Sequence, residues 1–114
     1  MSALDHGQTI ADKLNAAGIS ATCDPRSATP PCVLVTPPVA TFDVVCGHAT
    51  GLWSLFALAP GPANADSWAA LDAILLVASG AFPLERSEFV AYSLSPDNPP
   101  IPAYRMQFTE GFAL

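Results

Sequence analysis

The chain has 114 residues, 51% of them hydrophobic, and its ten acids against four bases (Lys13, Arg26, Arg86 and Arg105) leave a formal net charge of −6. That length suits one domain around one core, burying somewhat under ~70% of the unfolded surface, and the apolar share belongs to a folded chain rather than a disordered one. Without any basic run the chain lacks the clustered cations that displace counterions from phosphates or hold an anionic membrane, so neither nucleic acid nor membrane is expected as a primary partner.

The longest apolar stretch, Trp68 to Ala78, is interrupted by Asp72 and falls short of the roughly 20 residues of a membrane span. The opening MSALDHGQTIADKL carries acids where a secretory leader carries positive charge and then hydrophobic residues. The expectation is a protein made and used in a cytosol, with its three cysteines (Cys23, Cys32 and Cys46) reduced.

In chain order, Leu4 to Ala17 reads as a first helix, with Ile10 and Leu14 four apart, Ala11 and Ala17 flanking the stripe, Asp5 at the positive end and Gly18 as a left-handed stop. The loop from Cys23 to Pro31 holds three prolines and is rigid by composition. Strands follow at Cys32 to Thr36, closed by Pro37 and Pro38, and at Thr41 to Cys46, broken by Gly47. Leu52 to Ala59 is apolar on both faces, which predicts a central strand covered by a helix on one side and by a neighbouring subunit on the other. Asn64 or Asp66 caps a second helix that runs to about Ser79 and stops at Gly80. Its apolar residues (Trp68, Leu71, Ile74, Leu75, Leu76, Val77 and Ala78) go nearly all round, the pattern of a helix buried on most sides. Ser87 to Leu94 and Ala103 to Thr109 alternate as a closing hairpin, joined by a proline-rich finger from Ser95 to Pro102. The class is therefore α+β, in the order α-β-β-β-α-β-β, with a mostly antiparallel sheet and two helices packed on one face.

Chemistry-bearing sets are weak. Cys23, Cys32, Cys46 and His48 could nominally hold zinc, but the ligand pairs lack tight spacing, and Cys32 and Cys46 fit better as small hydrophobes in strands. Cys46 with His48 as nucleophile and base has no orienting carboxylate. His6 beside Asp5 fits a solvated helix face. Asp66 and Asp72 do not form a convincing acid and base pair; Asp72 is the lone polar point of its helix, marking a solvent edge or needing an Arg partner. No phosphate-binding glycine loop or nucleophile elbow appears. The expectation is a non-enzyme without cofactor or metal.

The segments LNAAGISAT, DPRSATPPCVLVTPP, LFALAPGPANADSWAALDAIL and IPAYRMQFT, which span most of the chain in order, resemble the tail terminator proteins of long-tailed actinobacteriophages. The resemblance implies a virion protein, assembled in the host cytoplasm, whose homo-oligomeric and usually hexameric ring caps the head-proximal end of the tail tube. It would stop tube polymerisation, meeting the tail tube protein on one side and a neck or head-completion protein on the other. The family offers no catalytic residues. The segments expected to meet neighbours are Asp24, Arg26, Pro30 and Pro31; Pro60, Pro62 and Asn64; and Pro99 and Pro100. Trp53, Asp72 and the apolar end at Phe112 join them. Six copies would carry six times −6 formal charges, an acidic wall through which DNA passes without specific binding. The alternatives are another head-to-tail connector (a head-completion or neck protein), or a small enzyme or ligand-binding domain using Cys46, His48 or Asp72.

Overall fold

A stripe of Gly7, Ile10, Ala11 and Leu14 recurs at helical spacing, and in the computed structural model it is the buried face of α1 (Ala3–Ala16). The structure describes residues 3–43, 48–61, 64–93, 97 and 99–113, with Asp43, His48 and Ala113 described by backbone alone. Gly18, at φ 94°, ends α1 as expected. The Ile19 N–H donates to the Leu14 carbonyl and the Gly18 N–H to that of Asn15, the paired bonds that close a helix through a left-handed glycine. Asn15 then bonds both the carbonyl and the N–H of Ala21, holding α1 to β1 (Ala21–Thr22), a short strand the sequence pattern did not signal. In the loop beyond, Asp24 caps a single 3-10 turn at Pro25–Ser27, and the Pro30–Pro31 peptide is cis.

The remaining strands are β2 (Cys32–Val35), β3 (Val39–Asp43), β4 (His48–Leu58), β5 (Arg86–Tyr92) and β6 (Ile101–Ala113). They form a six-stranded sheet in the order β1-β2-β4-β6-β5, with β3 paired to β4. All pairs are antiparallel except β1 with β2. The α+β class, the antiparallel sheet and the closing hairpin are as expected, but several bounds shift. β4 starts earlier than the apolar run suggests, and β6 extends past Thr109 to match it residue for residue. β6 also takes in Ile101 and Pro102, which shortens the proline finger. Val44, Val45, Cys46, Gly47 and Leu94, named as strand residues or breaker, lie outside the described residues.

Because side chains alternate along a strand, the registers sort the sheet into two faces. Val33, Val35, Ala49, Trp53, Leu55, Ala57, Met106, Phe108 and Phe112 point to the helix side, where they pack with Ile10, Leu14, Leu71, Ile74 and Ala78. The opposite face carries a smaller cluster of Cys32, Leu34, Leu58 and Ala103, screened by Ala28, Phe56, Val90, Tyr92 and Ile101. The chain's own loop and aromatics thus cover part of the face expected to need a neighbour.

α2 (Ala65–Ala81) begins at Asn64, whose side chain accepts the Asp66 and Ser67 N–H groups while the Ser67 hydroxyl accepts the Asn64 N–H, a reciprocal cap. The helix runs through Gly80, which does not end it; no positive φ is needed there, and Phe82 is the cap residue. No base stands in its last turn. Lys13 of α1 supplies one, donating to the Ala81 carbonyl at 2.8 Å and lying 4.8 Å from the centre of the Phe82 ring, where a cation meets the negative end of the helix dipole. The expectation that α2 is buried on most sides is corrected. Leu71, Ile74 and Ala78 are buried, but Trp68 and Leu76 are 62% and 75% exposed, since only one stripe of a helix can meet one sheet. Ala17, expected beside the α1 stripe, lies in the turn after the helix and is exposed.

Candidate interaction surfaces

Among the described residues the sheet has an unpaired edge at either side. On one side stands β5, bonded to β6 alone; on the other, β3 follows β2 along the same edge of β4. Each edge brings apolar side chains into water. Phe89 of β5 is 56% exposed, and Val39 and Phe42 of β3 are 72% and 61% exposed. Val39 stands directly across from Leu52, another exposed apolar residue. Unpaired strand edges flanked by apolar groups are templates for further strands.

Between α2 and β5 the surface sinks into two depressions that follow one another. The first, of about 360 Å³, is lined by Asn64, Ser67, Trp68, Phe89 and Tyr104, with the Phe89 ring set edge-on to Tyr104. The second, of about 550 Å³, runs on past Asp72, Leu75, Leu76 and Ser79 on the helix and Leu84 to Ser87 on the strand side. The helix residues lie on successive turns, so the two form one channel along the outer flank of α2.

The bases are paired within the chain, although Lys13, Arg26 and Arg86 are themselves exposed. Arg26 bonds the Asp24 carboxylate through Nε and Nη2, each at 3.2 Å, and these bonds hold the Asp24 carboxyl below its ordinary range and raise the Arg26 guanidinium. Arg105 and Arg86 share Glu88 on the face away from the helices. With Lys13 on the α2 terminus, all four bases of the chain have acceptors. Asp12, Asp66, Asp72, Glu85 and Asp97 stay exposed, so the solvent-facing charge is mostly acidic.

Of the residues expected at contacts, Arg26, Pro31, Pro60, Asn64, Asp72, Pro99 and Pro100 are exposed, while Asp24 and Pro30 are half-buried. Pro62 lies outside the described residues. Two expectations are corrected. Trp53 is 1% exposed and Phe112 5%, because both point to the helix side of the two longest strands. There the rings pack edge to face, and the Trp53 indole N–H donates to the Glu110 carbonyl at 3.3 Å. Nor is His6 on a solvated face. Its Nε2 lies 2.5 Å from Glu110 Oε2, and its ring rests against Trp53 and Phe112. Asp72 marks a solvent edge and rims the larger depression. The residues the sequence reading missed are Val39, Phe42, Leu76 and Phe89. For Val39, Phe42 and Phe89 the signal was present as aromatic and β-branched residues, but alternation does not reveal which strands end a sheet; Leu76 stood in the all-apolar run of α2, which does not reveal which side the sheet covers.

For the proposed metal set, Cys23 and Cys32 are free thiols, Cys32 buried, while Cys46 and the His48 side chain lie outside the described residues. Among the described residues no three His, Cys, Asp or Glu side chains converge as metal ligands. Burial pushes both described thiols up, Cys23 further by the negative charge of Asp12. Among the described residues no helix is long and apolar enough to cross a membrane. Comparison of the chain with protein-family models, with curated proteins and with solved structures finds no match.

Proposed function

We propose that the chain is a structural subunit of a phage tail, a tail terminator whose copies close a ring on the head-proximal end of the tail tube. In that position the ring ends tube polymerisation and joins the tail to the neck, at the tail–neck junction of the virion. One observation carries the reading: exposed apolar side chains stand at two opposite edges of a single sheet, Phe89 of β5 with Trp68 of α2 beside it at one, and Val39 with Phe42 of β3 at the other. Two different patches on one chain suit head-to-tail association, in which each copy offers one patch to either neighbour and the chain of contacts closes as a ring. The resemblance in sequence points to six copies.

The charge distribution agrees with a passage for DNA. Each base has an acceptor in its own chain and exposed acids outnumber exposed bases, so a ring of such subunits presents phosphate with a net repelling surface.

The test has two arms. Purified chain should give ring-shaped particles by electron microscopy and a solution mass that is a multiple of 11.8 kDa. A phage lacking the gene should make tails of uncontrolled length. Tails of normal length that remain unattached to heads would reassign the protein to head completion or the neck. A monomer with stoichiometric metal would reassign it to enzymes or ligand-binding domains.

A further inference from the structure

We propose that β5 of one copy pairs antiparallel with β3 of the next, and that Phe42 of that β3 seats in the depression between α2 and β5. The inference rests on the ring reading and names its interface. Direction comes first. β4 and β5 run one way through the sheet, β3 and β6 the other. Rotation by one step of a ring of three or more copies, about an axis inclined by about 45° to the strands, keeps each strand's sense, so the incoming β5 meets β3 antiparallel, with both copies' helices on the same side.

The faces and the depression then select one register. Ala40 and Phe42 lie on the helix side of β3, as Ser87, Phe89 and Ala91 do on β5. Pairing Val39 with Val90 keeps helix side on helix side. It also sets Ala40 against Phe89, Thr41 against Glu88, Phe42 against Ser87 and Asp43 against Arg86. Sliding by two residues one way sets the Phe42 ring against Phe89, away from the larger depression; sliding the other way runs past the start of β5 at Arg86. In the selected register the exposed Phe42 ring lies above Ser87, beside Leu75 and Leu76 in the larger depression, and Val39 covers Val90.

The geometry also closes. Glu88 pairs with Arg105, whereas Thr41 reaches β6 at Gly111 through Thr50. Equivalent residues of adjacent copies are thus displaced by six residues along the strands, ~20 Å, and by four strand spacings across them, ~19 Å. A flat ring then needs strands inclined by about 45° to its axis, at the upper end of the 35–45° that closed barrels adopt. A foreign strand in the depression would have no reason to satisfy this offset.

The experiment uses the full chain. In a chain carrying Cys23→Ser and Cys46→Ser, Val39→Cys with Val90→Cys, joined by a short bismaleimide, should give a ladder of covalent multiples ending at the copy number of the ring, while either added cysteine alone should not. Phe42→Ala and Leu76→Asp, both at exposed positions, should each weaken assembly at least about tenfold with an unchanged circular dichroism spectrum. Mixed in equal amounts, the two variants retain one sound contact between them and should stop at a 1:1 dimer. Rings that form without the ladder and ignore both substitutions would overturn this interface and leave the ring reading standing. A ladder that stops at dimers would overturn it in favour of a two-fold contact. A wild-type chain that never assembles would overturn both.

Discussion

Trp53 and Trp68 are the chain's two tryptophans, and they sit in opposite surroundings. Trp53 is enclosed by its own chain: the His6 and Phe112 rings pack against it, and the Glu110 carbonyl takes its N–H. Trp68 shares an open depression with Asn64, Ser67, Phe89 and Tyr104 and is 62% exposed. α1 is amphipathic and its single apolar stripe is spent on the sheet, whereas α2 is apolar nearly all round and the same sheet can cover only one side of it. The surplus on α2 is therefore what the folded chain leaves for contact, and the tryptophan inside the core carries stability instead.

Substitution of each indole gives the widest contrast. Trp53→Ala removes a fully buried ring and leaves a cavity between α1 and β4, so a loss of about 3–5 kcal/mol is expected by urea unfolding. Trp68→Ala should change the stability of the separated chain by no more than about 0.5 kcal/mol. Near-equal losses would mean that Trp68 is covered within its own chain, which would remove the distinction.

The close fit at Trp53 can be sharpened at Gly51. A Cβ there would lie 2.8 Å from Trp53 Nε1, 3.0 Å from Pro38 Cβ and 3.1 Å from Phe112 Cε1, and two of these belong to aromatic rings already packed against each other. Gly51→Ala should cost about 1–3 kcal/mol and disturb the near-ultraviolet signal of Trp53. A neutral result would show slack in the packing that the distances do not contain.

Both surroundings were only partly legible in the sequence. The α1 stripe, its glycine stop, the Asn64 cap and the closing hairpin follow from local rules: spacing, a positive φ, a short polar side chain and alternation. What decides between Trp53 and Trp68 is not local. A strand apolar on both faces predicts two covers without saying which face the chain covers for itself, and Trp53 fell on the side that α1 takes. An all-apolar helix looks the same whether its surplus meets a second sheet or a second molecule. β1 has two residues and no period to detect, and His6 finds Glu110 across 104 positions of sequence.

At the start of α2, the reciprocal cap makes a smaller prediction. Asn64→Ala removes the acceptor for the Asp66 and Ser67 N–H groups and should cost about 1 kcal/mol, with fraying that also loosens the Trp68 side of the channel. Asn64→Asp keeps the acceptor and places a negative charge at the positive helix end, so it should hold or exceed the wild-type midpoint. If the alanine and aspartate variants unfold together, Asn64 contributes through some contact other than the cap.

The smallest effect concerns the two described thiols. Burial raises Cys32 above its ordinary value of 9.0, against a weaker opposing hydrogen bond from Thr29, and raises Cys23 together with the Asp12 charge. In the unfolded chain both thiols ionise near the ordinary value, so above about pH 9 the native state holds more protons than the unfolded state. Stability attributable to these groups is thus fully present below that pH and drains away as pH rises through the folded values. Unfolding midpoints measured from pH 7 to 10 should decline over the upper part of the range. The decline should shrink in Cys32→Ala, once the midpoint lost to the missing side chain at pH 7 is subtracted. Alkylation of the native chain at pH 7 should reach Cys23 well before Cys32, which is 1% exposed. Cys32 lies in the small cluster on the sheet face away from the helices. Rapid labelling there would mean that Phe56, Tyr92 and Ile101 do not keep that face closed, and that more of the sheet is open to a neighbour than the two edges alone.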